Sequence, residues 1–432
     1  MSGVSPTEHT PPAPDLTRLR RFVADEQASL LSWADKGAPA EWVGRRLDSF
    51  AGDPGDTADQ PTPCLTLSRK ALDHDIAAFA AWASSRGLAH APHGKTSMAP
   101  ALWLAQLEAG AWGITLANEA QVRVAHAVGV PRVLVANLVL RPKGLRWLAS
   151  IADQTEVTCW VDSVDAVAQM DAALADAGRR LPVLVELGTV RTGARSVDEA
   201  VRVAEAVARA PHLELAGVGG YEGVAVKGTS AEDVTVVRRF LDDLVDLRGR
   251  VAGMVERDQA ILTAGGSTWF DQVTEAFGPT TPETLCLVRA GSVVSHDDGT
   301  YLHATPSARG ADGPVLTPAL HLWARVLSMP EPGRAILDAG KRDFPHDSGL
   351  PVPQLGLGSS GLEPLVGHEL LGSNDQHATM AVPEGSPLRV GSLVRLGISH
   401  PCTAFDKWRT IPVLDDADAL EARVVDWVRT YF

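Results

Sequence analysis

The sequence predicts an α/β protein, a (β/α)8 barrel of TIM type followed by a C-terminal, mainly β domain. Three observations carry this expectation. From Leu88 to Ala290, short apolar runs of strand length alternate with amphipathic runs of helix length, which is the signature of βα units. Eight such apolar runs occur, the number a closed parallel barrel requires. No Gly-x-Gly-x-x-Gly opens the first βα turn, so the competing open sheet lacks its dinucleotide fingerprint.

With 432 residues the chain exceeds what one ordinary core supports, and more than one domain is expected. Lys and Arg total 39 against 53 Asp and Glu, a net charge of −14. No basic run stands out as a phosphate-tracking surface, so nucleic acid is not an expected partner. No segment approaches the roughly 18 apolar residues of a membrane span. The N-terminus, with Glu8 and four prolines in its first 14 residues, lacks a signal peptide's apolar core. A cytoplasmic protein is expected. Cys64, Cys159, Cys286 and Cys402 are too few and too scattered for a disulfide framework.

Taken in order, residues 1–60 read as an N-terminal extension and linker. The first 14 residues are rich in Pro, Ser and Thr and read as disordered. Leu16 to Trp33 is loosely amphipathic and helical, and Ala51 to Pro63 is a linker. A strand at Cys64–Leu67 and a helix from Ala71 to Arg86 open the barrel domain, residues 61–300. Its eight strands are predicted at Leu88–His93, Trp112–Leu116, Arg132–Asn137, Val157–Asp162, Leu181–Gly188, Leu213–Tyr221, Ala260–Gly265 and Cys286–Ala290. Helices lie between them, among others at Asn118–Val128, Val164–Ala177, Val197–Ala208 and Ala231–Val251. After Ser295 a Gly, Pro, Ser and Asp-rich loop runs to about Pro314 and marks a domain boundary. Residues 301–432 then form the β domain, with short strands at His321–Met329, Arg334–Asp338, His377–Val382 and Ser392–Ile398 and a closing helix from Ala417 to Tyr431.

The active site of such a barrel sits at the C-terminal ends of its strands. Strand one ends in His93-Gly94-Lys95-Thr96, where the lysine is read as opening a helix. Strand five ends in Gly188-Thr189-Val190-Arg191 and strand six in Gly219-Gly220-Tyr221-Glu222. The seventh and eighth end in Thr263-Ala264-Gly265-Gly266-Ser267 and Arg289-Ala290-Gly291-Ser292. Glycine-rich, hydroxyl-bearing turns after the last two strands suit a phosphate, because backbone N–H groups can approach it closely. A phosphate site facing Lys95 suggests pyridoxal 5′-phosphate held as a Schiff base. Tyr221 would stack on or bond near the ring and Arg191 would face the pyridine nitrogen. An arginine there leaves that nitrogen unprotonated and weakens the electron sink, so leaving-group departure needs help. Ile398-Ser399-His400-Pro401-Cys402 can give it: on an extended segment an i, i+2 spacing points imidazole and thiolate the same way, a pair suited to zinc.

Together these residues resemble a known family. His93-Gly-Lys-Thr96, Glu186-Leu-Gly-Thr-Val-Arg-Thr-Gly193, Gly220-Tyr-Glu-Gly223, Thr263-Ala-Gly-Gly-Ser267, Arg289-Ala-Gly-Ser292 and His400-Pro-Cys402 are similar in order and spacing to the D-serine dehydratase and D-threonine aldolase family. That family has the alanine-racemase-like fold of fold-type III pyridoxal phosphate enzymes. The likeness runs from about Thr62 to Trp408. It implies Lys95 as Schiff-base lysine, Arg191 and Tyr221 at the cofactor, Zn2+ on His400 and Cys402, and a homodimer in which the second subunit helps to close the site. Thr263, Gly265, Gly266, Ser267, Gly291 and Ser292 are the expected phosphate turns, although Ala264 and Ser267 interrupt the family's glycine run. His377, in Asn-Asp-Gln-His, matches a histidine that the family places near the metal. Cys402 resembles the dehydratases, whereas the aldolases carry aspartate at this position.

The expectation is a dehydratase of D-configured β-hydroxy amino acids, D-serine to pyruvate and ammonia in the simplest case. The alternatives are an aldolase giving glycine and an aldehyde, a metal-free racemase, or a non-enzymatic pyridoxal phosphate carrier.

Overall fold

The computed structural model describes residues 13–50, 53–54, 61–358, 361–419 and 422–432. Disorder expected over the first residues concerns positions 1–12, outside the described residues, and so does most of the linker at 51–60.

Among the described residues, one sheet consists of eight parallel strands: Ala89–His90, Ile114–Leu116, Arg132–Leu138, Glu156–Val161, Leu181–Leu187, Leu213–Gly220, Ala260–Ala264 and Thr284–Val288. Each expected strand is present within a few residues of its predicted bounds. The eighth pairs with the first through Leu287–Ala89 and Val288–His90. The first meets the second where Gly94 N–H donates to the Thr115 carbonyl at 2.8 Å and Thr115 N–H to that of Pro92 at 2.9 Å. This closes the circle. Ala91, Leu134, Trp160, Leu184, Ile261 and Leu285 fill the interior, while the outward apolar residues of the same strands bury against the helices.

Side-chain caps start the barrel helices. The hydroxyls of Ser163 and Ser196 accept from the N–H groups of Ala166 and Glu199. Ser230 and Asp233 form a reciprocal capping box at the helix Ala231–Arg250. Gly129, in the left-handed region at φ 95°, ends the helix Glu119–Val128. Because the strands pair in parallel, every strand's C-terminal end faces one side of the barrel.

The second sheet, of eleven strands among the described residues, differs from expectation in three ways. The strand Cys64–Ser68 belongs to it and not to the barrel, pairing Leu65 with Leu322 of the long strand Leu320–Glu331. Its all-buried side chains are covered by the β-domain core of Leu320, Leu322, Val394 and Leu396. Strands at Val352–Gly358, Gly361–Pro364, Glu369–Ser373 and Thr410–Leu414 were not anticipated, because glycine and proline break their apolar pattern. The expected closing helix is instead the strand Arg423–Arg429, which pairs with Thr410–Leu414. Val424, Trp427 and Val428 carry helical i, i+3, i+4 spacing yet are all buried in a strand. The register shift at Val413–Leu414 accommodates them.

The N-terminal extension ties the two layers together. Leu16 and Leu19, the latter in the helix Thr17–Gln27, join the barrel core. Leu31, Leu47 and Phe50 pack against Val424 and Trp427. No helix among the described residues is long and apolar enough to cross a membrane.

Candidate active site

A cavity of about 480 Å³ opens where the C-terminal strand ends meet the β domain. Of the residues expected at the site, Lys95, Arg191, Tyr221, Gly266, Ser267, Gly291, Ser292, His400 and Cys402 line it. Thr263 and Gly265 do not. Thr263 is wholly buried: its hydroxyl donates to the Leu287 carbonyl at 2.9 Å and accepts from Arg289 Nη1 at 2.6 Å, so it supports Arg289 and not a ligand. The N–H groups of Gly265 and Gly266 are both held by the Glu222 carboxylate, at 2.9 Å each.

Lys95 is exposed to the cavity on a turn that precedes the helix Pro100–Glu108. The helix therefore starts five residues later than expected, at a proline suited to its first position. Arg191 and Tyr221 meet face-on, with the guanidinium carbon 5.1 Å from the ring centre. Burial pushes the Tyr221 phenol up to about 12, with the Glu222 carboxylate adding to it, so the hydroxyl is a neutral donor.

Arg289 is the cation at the floor. It is 1% exposed, donates to Gly220 O at 2.6 Å and sits 5.1 Å from the Trp160 ring. Burial lowers it to about 10, against the pull of Glu222 and Glu186; it stays charged at neutral pH. Glu186 accepts from the Thr192 hydroxyl at 3.0 Å, and burial pushes its carboxyl up to about 7. His93 is held well below the usual histidine range, by burial first and then by Lys95, Arg289 and Arg191, so it is a neutral imidazole. Gly291 lets this residue approach: a Cβ there would lie 2.6 Å from that of His93.

Several buried polar atoms around the cavity have no partner within the protein: His93 Nδ1, Glu186 Oε2, Arg289 Nε, Trp160 Nε1, Ser292 Oγ and Ser295 Oγ. Unsatisfied groups converging on one cavity call for a polar guest. Two serine hydroxyls, an amine, a phenol and arginines match the phosphate, aldehyde and ring of pyridoxal phosphate.

His400 and Cys402 come together, but not on an extended segment. Cys402 lies in the short 3-10 turn Pro401–Thr403. The His400 imidazole is pushed up to about 9, by its hydrogen bond with Cys402 first and by Asp347 in addition. Asp347 Oδ2 lies 2.8 Å from His400 Nδ1, and Asp347 Oδ1 accepts from the Thr403 hydroxyl at 3.2 Å. A carboxylate on one imidazole nitrogen is the support a metal-binding histidine uses for the other, so this donor set fits zinc with open positions. Among the described residues no group of three His, Cys, Asp or Glu is arranged to hold a metal ion. His377 is exposed beside the strand Ala378–Ala381 and does not line the cavity.

Trp160, Glu186, Tyr301 and Asp347 escaped the sequence reading. Glu186 lies within a family motif but inside its strand, short of the polar strand end. Tyr301, whose ring centre is 6.0 Å from that of His400, and Asp347 lie where the sequence has no periodic signal.

Residues 67–255 match the model of the alanine racemase N-terminal domain, and residues 319–414 that of a putative serine dehydratase domain. A D-threonine aldolase of Arthrobacter sp is 28% identical over 372 residues, which cover 84% of this chain and 91% of that protein. The D-threo-3-hydroxyaspartate dehydratase of Delftia sp. (strain HT23) is 24% identical over 395 residues, covering 87% and 98%. The crystal structure of D-threonine aldolase from Filomicrobium marinum aligns with a TM-score of 0.75 and 26% identity, over 87% of this chain and 96% of that one. With one match on the barrel and the other on the second sheet, the chain is similar over most of its length to D-threonine aldolase and D-threo-3-hydroxyaspartate dehydratase, and its fold is alanine-racemase-like.

Proposed function

We propose that this protein is a pyridoxal phosphate- and zinc-dependent lyase that dehydrates and deaminates D-configured β-hydroxy amino acids, D-serine to pyruvate and ammonia being the simplest case. One observation carries the reading: Lys95 from the barrel and His400 with Cys402 from the β domain open onto the same cavity.

Pyridoxal phosphate, when bound, supplies an electron sink for the charge that develops at the substrate Cα. Lys95 would anchor it, and its amine, when free, would be the base for the Cα proton. The hydroxyls of Ser267 and Ser292 and the backbone at Gly291 would hold the phosphate. Tyr221 would cover the ring, and Arg191 and Arg289 would keep the ring nitrogen unprotonated. His400 and Cys402, steadied by Asp347, would hold zinc, whose Lewis acidity assists departure of a β-hydroxyl. A homodimer completes this reading, with the partner's β domain closing the cavity.

Cys402 favours dehydration. Solved structures of D-threo-3-hydroxyaspartate dehydratase include variants at a histidine and at the cysteine two positions after it, the cysteine variant in a metal-free form; His400 and Cys402 have that spacing. The 28% identity to the Arthrobacter aldolase supports a second reading, cleavage to glycine and an aldehyde on the same scaffold. A non-enzymatic carrier is disfavoured, since β-domain side chains form one wall of the cavity.

Incubation with D-serine, D-threonine and D-3-hydroxyaspartate, with and without chelator, separates these readings. Chelator-sensitive release of a 2-oxo acid and ammonia supports the dehydratase. Glycine with an aldehyde selects the aldolase, and racemised substrate without either overturns both.

A further inference from the structure

The turn after the seventh barrel strand has the shape of an anion cradle, but its anion is internal. Gly265 adopts φ +102°, a conformation that favours glycine and lets successive N–H groups converge as in an anion-binding nest. Glu222 fills that nest. Its side chain is wholly buried, and its two oxygens accept separately from Gly265 N–H and Gly266 N–H, at 2.9 Å each.

We propose that Glu222 is a positioning residue, fixing the Gly265–Gly266 turn as an internal anion and leaving the cofactor phosphate to Ser267, Gly291 and Ser292. This rests on the reading of the cavity as a pyridoxal phosphate site. Two observations support it independently of the hydrogen bonds. The Tyr221 ring lies directly on this turn: a Cβ at Gly266 would meet its Cε2 at 2.8 Å, and one at Gly223 would meet its hydroxyl at 2.6 Å. Tyr221 is therefore held between Gly223 and Gly266, and the Glu222 carboxylate fixes the second of these. In addition, Ser292 N–H donates to Ser267 Oγ at 3.0 Å, joining the two turns, while Ser292 Oγ is buried with no partner. The unsatisfied hydroxyl is thus on the eighth strand's turn, not on the seventh's, and a phosphate placed in the nest would face a carboxylate of the same sign.

The wild-type protein provides the first test, by residue-resolved amide exchange at Gly265 and Gly266 without and with pyridoxal phosphate. Both amides should be protected in the cofactor-free protein and gain nothing on addition of cofactor or inorganic phosphate. Glu222→Gln places an NH2 donor against an N–H donor, so it should weaken pyridoxal phosphate binding at least tenfold in a fluorescence titration, with far-UV circular dichroism retained. Amides that exchange freely until cofactor or phosphate is added overturn the proposal, as does a folded Glu222→Gln protein that binds the cofactor within twofold of wild type. Should the wild-type protein bind no pyridoxal phosphate while both amides are protected, the functional reading fails and the internal contact stands.

Discussion

The carboxylate of Asp347 meets the imidazole of His400 at 2.8 Å on Nδ1, while the Thr403 hydroxyl steadies its other oxygen. One ring nitrogen is thereby committed to the protein and the ring plane is fixed. The other nitrogen is left as a ligand position beside Cys402, which makes Asp347 the support of the proposed metal pair.

Asp347→Ala should consequently lower zinc affinity by about 10–100-fold, the usual cost of losing such a partner. Chelator competition on the purified protein measures it. D-serine turnover should fall in parallel and recover when zinc is added in excess.

Glu26 and Tyr431 join the two ends of the chain, with the phenol donating to Glu26 Oε1 at 2.5 Å. Burial pushes this carboxyl from 4.5 up to about 7. Because the folded state binds the proton more tightly than the unfolded chain, Glu26 costs nothing while both states are protonated. It then destabilises progressively as pH rises through 4.5 to about 7. Each pH unit of that interval costs about 1.4 kcal/mol, so the full effect is at most about 3.5 kcal/mol. Glu26→Gln should therefore gain stability relative to wild type across that interval and stay level above it, as read from urea unfolding at several pH values.

Two glycines make opposite predictions. Gly291→Ala would drive a methyl to 2.6 Å from His93 Cβ and 3.0 Å from its carbonyl oxygen, displacing the segment that carries Lys95. Pyridoxal phosphate binding should weaken at least tenfold, measured by titration of the cofactor-free protein. Gly249 is exposed within the helix Ala231–Arg250, with nothing within 4 Å of an added Cβ. Gly249→Ala should raise stability by about 0.5–1 kcal/mol in the same unfolding assay.

The barrel was legible because its strands are short and mostly apolar, several are followed by a side-chain cap, and parallel strands buried on both faces allow little else. The β domain was less so. Val352–Gly358 and Gly361–Pro364 carry glycine and proline, and Val424, Trp427 and Val428 show helical spacing while lying in a strand. At the site, Lys95, Tyr221, Ser292 and Cys402 could be placed from strand ends and a short motif. The part played by Gly265 and Glu222 could not, since whether an N–H faces a ligand or a buried carboxylate depends on contacts between turns 43 or 44 residues apart. Asp347 lies 53 residues from His400 and reaches it only through the folded sheet.

Release of 2-oxo acid from D-serine, followed in wild type, Lys95→Ala and chelated wild-type protein side by side, tests the central claim most directly. The account predicts pyruvate and ammonia in equal amounts from the wild type, loss of at least a thousandfold in Lys95→Ala, and loss on chelation that zinc reverses. Full turnover by Lys95→Ala, or activity indifferent to prolonged chelation, would contradict it.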